Sequence, residues 1–137
     1  MTPAEIIAAA RQALGTKFKH QGRTVGRGLD CAGLALHVAA VLGVETIDRE
    51  GYARRPFDGI LESMLDAQPG LERVFAMLPG DILLMRFDVG PQHLGIFTGA
   101  TIIHAYAPPG LVCEHAMTPE WESRVVRIYR FRGVTHG

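Results

Sequence analysis

The chain has 137 residues, of which 47% are hydrophobic and 20% charged, and its 14 basic side chains balance 14 acidic ones. This length suits a single domain spanning residues 1–137 and is short for two ordinary domains. Because the charge is balanced, it gives no bias towards nucleic acid or an anionic membrane, and we expect neither as a partner. Two cysteines do not make a disulfide framework, so we expect free thiols.

The amino terminus shows no sign of an export signal. It lacks a basic segment followed by an apolar run and a small-residue cleavage site, and no window approaches 18 consecutive apolar residues. We therefore expect that the chain is synthesised in the cytoplasm and reaches any extracellular target by another route.

Two helices are predicted in the first third of the chain. Thr2, Pro3 and Glu5 form a helix-start pattern that leads to Gly15, and a second helix starts at Cys31, directly after a potential cap at Asp30. Between them, residues 15–29 are polar and rich in glycine, which predicts an exposed loop lining a cleft. The predicted buried stripes are Ile6, Ile7, Ala10, Ala13 and Leu14 in the first helix, and Leu34, Val38, Val41 and Leu42 in the second.

The rest of the chain changes from helical to β character. A short helix is predicted at about residues 58–67 with Leu61, Met64 and Leu65 inward, residues 71–78 suit either helix or strand, and a turn follows at 79–81. Strands are then predicted at 82–85, 94–98, 101–106, 112–117 and 125–131, with a capped helical turn at 118–121. Helices followed by a mainly antiparallel sheet are typical of an α+β domain.

Cys31 is the candidate nucleophile. A thiol in the first turn of a helix meets unpaired amides and the positive end of the helix dipole, and both favour the thiolate. The same position also suits an inert core cysteine, so the assignment depends on partners elsewhere in the chain.

Two histidines are predicted to lie on one face of the sheet. If Gly99 and the next residue form a tight hairpin turn, Gly95 lies opposite His104, and His93 lies opposite Tyr106. Side chains alternate along strands, so His93 and His104 become diagonal neighbours, and Gly95 leaves room for their rings to meet.

A thiol, an imidazole and a group that orients the imidazole are what nucleophilic cysteine chemistry requires. Cys31 would attack a carbonyl carbon, His93 would act as general base and then as acid, and His104 would orient His93. The amides at the helix start would stabilise the oxyanion. The alternative is that the two histidines are a strand-end residue and a satisfied core residue.

Three further residues are weaker candidates. His37 lies on the Cys31 helix and is interpreted as a packing or surface residue. Cys113 and His115 are two apart on one strand face, and with His93 or His104 they could supply zinc ligands. Since no closely spaced pair of ligands supports such a site, we expect neither a metal nor a cofactor.

Four motifs, in order, resemble the NlpC/P60 family of papain-like cysteine peptidases. They are Asp30-Cys31-Ala32-Gly33-Leu34, Pro79-Gly80-Asp81, His93-Leu94-Gly95-Ile96-Phe97 and Ile102-Ile103-His104-Ala105. The resemblance implies an α+β fold in which amino-terminal helices pack on a central antiparallel sheet. It also implies a catalytic triad of Cys31, His93 and His104 that hydrolyses peptidoglycan stem peptides, commonly between D-γ-glutamate and a diamino acid.

Residues 18–23, Phe-Lys-His-Gln-Gly-Arg, are similar to a segment of phage and gene-transfer-agent members of that family. This likeness implies delivery to the cell wall in a phage-type tail, with tail or particle proteins as partners. Many cellular members carry a tyrosine ahead of the cysteine, and Phe18 stands nearest that place without a hydroxyl. His20 or Arg23 would replace it, and with Phe18 and Asp30 we interpret them as substrate-binding residues.

Two other functions stay open. The chain could be a structural or binding component of a tail tip that keeps the fold without turnover. Alternatively, the same triad could serve an amidase or an acyl transferase.

Overall fold

A computed structural model describes residues 1–52, 59–87, 91–106 and 108–136, apart from the side chains of residues 91 and 92. Within these residues no helix is both long and apolar enough to cross a membrane. The elements in chain order are α1 (Pro3–Arg11), β1 (Arg23–Thr24), β2 (Gly28–Leu29), α2 (Cys31–Val41), α3 (Ile60–Asp66), β3 (Leu71–Val74), β4 (Ile82–Arg86), β5 (Pro91–Phe97), β6 (Thr101–Tyr106), β7 (Leu111–Ala116), α4 (Pro119–Glu122) and β8 (Val125–Phe131).

The strands β3 to β8 form one antiparallel sheet, in the order β3-β8-β4-β5-β6-β7, and β1 pairs with β2 in a separate hairpin. The predicted α+β fold with helices on a central antiparallel sheet is confirmed. One face of the sheet packs on α1 and α2, and its core includes Ile6, Leu34, Val38, Leu84, Leu94, Ile96 and Ile103. The opposite face carries a smaller cluster of Leu83, Met85, Phe97 and Ile102, which packs against Trp121.

The hairpin of β5 and β6 has the predicted register. Thr98 donates its N–H to the carbonyl of Thr101 over 3.0 Å, and Gly99 supplies the positive φ of +105° that the turn requires. The described pairs are Ile96 with Ile103 and Phe97 with Ile102. Continued along the strands, this register sets Gly95 opposite His104, so both histidines lie on one face, as predicted.

Two predicted core positions are wrong. Leu14 is 42% exposed because α1 ends at Arg11, so the residues beyond it no longer follow the helical stripe. Val41 is 48% exposed. The buried line of α2 runs through Leu34 and Val38 at intervals of four residues, which turns Val41 towards solvent.

The segment predicted as an exposed loop is more ordered than expected. Arg23 and Thr24 pair with Leu29 and Gly28 as β1 and β2, and Leu29 is fully buried under the start of α2. Residues 71–78, left open between helix and strand, begin with strand β3. The short predicted helix is α3, with Leu61 and Leu65 buried; residue 58, its predicted start, lies outside the described residues.

Candidate active site

Cys31 is the first residue of α2, as predicted. Asp30 caps this helix, since its Oδ1 accepts the N–H of Gly33 over 2.8 Å. A side chain on Gly33 would collide with the backbone carbonyl oxygen of Gly22. The glycine of the motif is therefore needed because the preceding loop packs directly on the first turn of α2.

The Cys31 sulfur is close to the backbone N–H of Leu94 in β5, and this amide lowers the pKa of the thiol. The N–H of Thr98 points towards β6, and alternate amides of an antiparallel strand point the same way, so the N–H of Leu94 also faces β6. Leu94 directly follows His93 in the sequence. The start of α2 thus meets the sheet at the residue after one candidate histidine.

The Cys31 thiol is held in its neutral form. Burial, and then the neighbouring Asp30 carboxylate, raise the pKa of Cys31 to about 12. The amides of Leu94, Ala32 and Cys31 itself lower this pKa without reversing it. The amides at the helix start therefore favour the thiolate, as predicted, but desolvation and the Asp30 charge outweigh them.

His93 and His104 are hydrogen-bonded. Nε2 of His93 lies 2.6 Å from Nδ1 of His104, and both side chains are buried, with 6% and 0% of their surface exposed. A side chain at Gly95 would collide with Ile102 and press on Met85, so its absence gives space to the smaller hydrophobic cluster. That Gly95 also leaves room for the two rings stays a prediction.

Both imidazoles are neutral at physiological pH. Burial lowers the pKa of His93 to about 3. It also lowers the pKa of His104 to about 2, with smaller contributions from His93 and His115. Tyr106 stacks on the His104 ring and Trp121 packs edge-on against it, at centroid distances of 4.8 and 5.1 Å. This aromatic packing keeps water from the pair.

The row of histidines continues to a third ring that the sequence did not assign to the site. Nε2 of His104 lies 2.8 Å from Nε2 of His115, and Nδ1 of His115 lies 3.0 Å from the carbonyl oxygen of Ala116. The pairing of β6 with β7 creates this contact by setting His115 opposite Ile102, two residues before His104.

The other candidate residues do not form a metal site with the described residues. Nε2 of His37 donates to the carbonyl of Ala9 over 3.2 Å, which as predicted makes His37 a packing residue between α2 and α1. Cys113 is half-buried opposite His104, and burial raises its pKa. Among the described residues there is no group of three or more potential ligands that could hold a metal ion.

The sequence model of the NlpC/P60 family matches residues 15–130, which include Cys31, His93 and His104. The chain belongs to the NlpC/P60 family. No curated protein sequence matches it significantly.

Solved NlpC/P60 structures share the fold at low sequence identity. The NlpC/p60 domain of the peptidoglycan hydrolase SagA is 23% identical with a TM-score of 0.63, over 93% of this chain and 97% of that one. NlpC2 from Trichomonas vaginalis is 20% identical with a TM-score of 0.71, over 95% of this chain and 46% of that one. RipD from Mycobacterium tuberculosis, a non-catalytic domain protein adapted to peptidoglycan binding, is 17% identical with a TM-score of 0.64, over 93% and 95%.

A tyrosine hydroxyl lies beside the NlpC/P60 cysteine motif, although no tyrosine precedes it. The hydroxyl of Tyr52, 21 residues after Cys31, donates to Oδ2 of Asp30 and accepts from Nη2 of Arg23 over 2.8 Å. Nη1 of Arg23 lies 2.9 Å from Oδ1 of Asp30, and its Nε 3.1 Å from Asp48. Tyr52 thus brings a hydroxyl next to the cysteine motif from the segment after α2. The replacement of the family's tyrosine by His20 or Arg23 stays a prediction.

The predicted substrate-binding residues surround this network. The edge of the His20 ring packs against Tyr52 at 5.5 Å, and Phe18 is half-buried against the helix-side core. The Asp30 carboxylate accepts from four internal donors, which fills its approximately four acceptor positions. Substrate binding by these residues stays a prediction, and a ligand for Asp30 would have to displace one of those donors.

Replacing Tyr52 by phenylalanine is expected to lower the free energy of unfolding by about 1–3 kcal/mol, because Asp30 and Arg23 each lose a buried partner. Denaturant unfolding measures the change. The matched control is Tyr129→Phe, whose hydroxyl likewise joins an aspartate and an arginine, Asp66 and Arg127, but away from α2. We expect Tyr52→Phe to reduce turnover as well, and Tyr129→Phe to affect stability alone. Unchanged stability in Tyr52→Phe would contradict the network.

Proposed function

We propose that the chain is a cysteine peptidase that hydrolyses amide bonds in peptidoglycan stem peptides, with Cys31, His93 and His104 as its triad. The observation that carries the proposal is the hydrogen bond between the buried rings of His93 and His104, with the Cys31 sulfur near the amide of Leu94, the next residue after His93. A structural cysteine does not need two paired imidazoles.

In the first step the Cys31 sulfur attacks the carbonyl carbon while its proton passes to Nδ1 of His93, the ring nitrogen that is not bonded to His104. The carbonyl oxygen becomes an oxyanion, which the amide at the start of α2 stabilises. When the C–N bond breaks, His93 returns the proton to the leaving amine, and a thioester on Cys31 remains.

In the second step water attacks the thioester and gives its proton to His93. The C–S bond breaks, the carboxylate product leaves, and the proton returns to the sulfur. Because the pKa of Cys31 is about 12 and that of His93 about 3, the resting pair is thiol and neutral imidazole. The proton must therefore move during attack rather than before it, so that His93 acts as a true general base.

The family supports peptidoglycan as the substrate, and the bond that we propose joins D-γ-glutamate to a diamino acid. The similarity of residues 18–23 to the tail-associated members supports delivery to the wall by a phage-type tail, after synthesis in the cytoplasm. Tail or particle proteins are then the proposed carriers.

Mass spectrometry of digested, purified peptidoglycan tests the proposed function. We expect fragments in which a diamino acid has gained a free amino group, and undiminished cleavage in the presence of a chelator. Cleavage between the glycan and the stem peptide would instead identify an amidase.

A non-catalytic role has one specific observation in its favour, since RipD has this fold and is described as non-catalytic. Binding of the protein to sedimented peptidoglycan without any fragment in solution would support that role and contradict the peptidase.

A further inference from the structure

His115 adds a third ring to the row of hydrogen-bonded histidines that begins at His93. We propose that His115 is a positioning residue, which fixes on which nitrogen His104, and through it His93, carries its proton. This inference rests on the proposed peptidase and deepens it, because it assigns a role to a residue outside the triad.

The direction of the hydrogen bonds along the row is determined by its last bond, between His115 and the carbonyl of Ala116. The carbonyl of Ala116 can only accept, so the nitrogen of His115 that faces it, Nδ1, carries the hydrogen. In a neutral ring the other nitrogen, Nε2, is then an acceptor. Nε2 of His115 lies 2.8 Å from Nε2 of His104, so Nε2 of His104 must be the donor.

The same reasoning determines which nitrogen of His93 carries the hydrogen. With its hydrogen on Nε2, neutral His104 presents a lone pair at Nδ1, so Nε2 of His93, 2.6 Å away, must donate to it. This leaves the lone pair of His93 on Nδ1. A single carbonyl at the edge strand thus selects the tautomer in which His93 has a free basic nitrogen.

The opposite direction would disable the site. If His104 carried its hydrogen on Nδ1, it would donate to Nε2 of His93, and the hydrogen of His93 would occupy Nδ1. The nitrogen needed as general base would then be blocked. His104 by itself permits both directions, and among the described residues it is the acceptor at His115 that distinguishes them.

The surroundings keep His115 in place. Its ring packs against Trp121 at a centroid distance of 4.8 Å and meets the His104 ring nearly at right angles, at 4.9 Å. His115 is half-buried, whereas His104 has no exposed surface. Since His104 has no exposed surface, we expect a protein group to accept its Nε2–H.

Two substitutions at position 115 distinguish the effect of its hydrogen-bond acceptor from the effect of its ring packing. His115→Phe keeps a ring against Trp121 but removes the acceptor, and we expect kcat to fall about 10- to 100-fold with little change in KM. His115→Gln keeps an acceptor oxygen, and we expect it to retain kcat within about threefold. His37→Phe, which removes a histidine that bonds the carbonyl of Ala9, is the matched control and should leave kcat unchanged.

The tautomers themselves are read from ¹⁵N chemical shifts of the histidine rings, without substrate. We expect hydrogen on Nε2 of His93 and His104 and on Nδ1 of His115, and a mixture at His104 in His115→Phe. Hydrogen on Nδ1 of His104 in the wild-type protein, or unchanged kcat in His115→Phe, overturns the proposal. Because the spectrum needs no turnover, it decides this role even if the proposed peptidase activity fails.

Discussion

Replacing Cys31 by alanine is expected to lower the rate of peptidoglycan hydrolysis by on the order of 10⁴-fold or more, as removal of a nucleophile does in other covalent hydrolases. No thioester can form at this position without the sulfur of Cys31. The protein should still fold, because alanine is a good helix former and Cys31 is only half-buried at the first position of α2. Release of soluble fragments from peptidoglycan measures the rate, and circular dichroism checks the fold.

The second free thiol provides the matched control. Cys113 lies on β7, opposite His104, and makes none of the proposed catalytic contacts. Cys113→Ala should hydrolyse peptidoglycan at the wild-type rate. Full activity in Cys31→Ala would rule out the nucleophile, and loss of activity in Cys113→Ala alone would move the chemistry to the other cysteine.

The part of the site that could be predicted from sequence is the part set by local rules. A two-residue turn at Gly99 determines which residues of the two flanking strands face each other, so the shared face of His93 and His104 follows from counting. Likewise, an aspartate before a helical pattern predicts its own role as a cap, and Asp30 fills it. These relations involve residues at most 11 positions apart.

Tyr52 and His115 could not be placed by such rules. Tyr52 follows an irregular segment without periodicity, so nothing in the sequence brings its hydroxyl back to Asp30. His115 comes after a connection from β6 to β7 that is longer than a tight turn, which leaves the register of the two strands free. The sequence indicated only that His115 and Cys113 share a face.

The pKa of Cys31 also depends on contributions that the local sequence does not reveal. The helix dipole and the free amides are local, and they favour the thiolate. Burial by the sheet and the completed Asp30 network depend on the whole fold, and together they raise the pKa of the thiol. The sequence therefore predicted the sign of the local contribution correctly, whereas the net direction depends on contacts made by the whole fold.

Replacing Asp30 by asparagine is expected to lower the free energy of unfolding by about 1–3 kcal/mol, because Arg23 loses its buried partner and keeps only Asp48 and Tyr52. The amide also has one acceptor oxygen in place of two, so some of the four donors around it lose their partner. At the same time the pKa of Cys31 should fall, since one of the two causes that raise it is the Asp30 charge. The variant is thus expected to be less stable and to have a more reactive thiol.

Alkylation by iodoacetamide as a function of pH measures the second effect in a Cys113→Ala background. Only the thiolate reacts, so a lower pKa shifts the rise of the rate to lower pH, and each unit increases the rate at neutral pH about tenfold. Asp81→Asn is the control, because Asp81 is also buried and paired with an arginine, Arg130, but does not act on Cys31. It should destabilise the protein without moving the alkylation profile. An unmoved profile in Asp30→Asn, or the same shift in both variants, would show that burial alone keeps the thiol protonated.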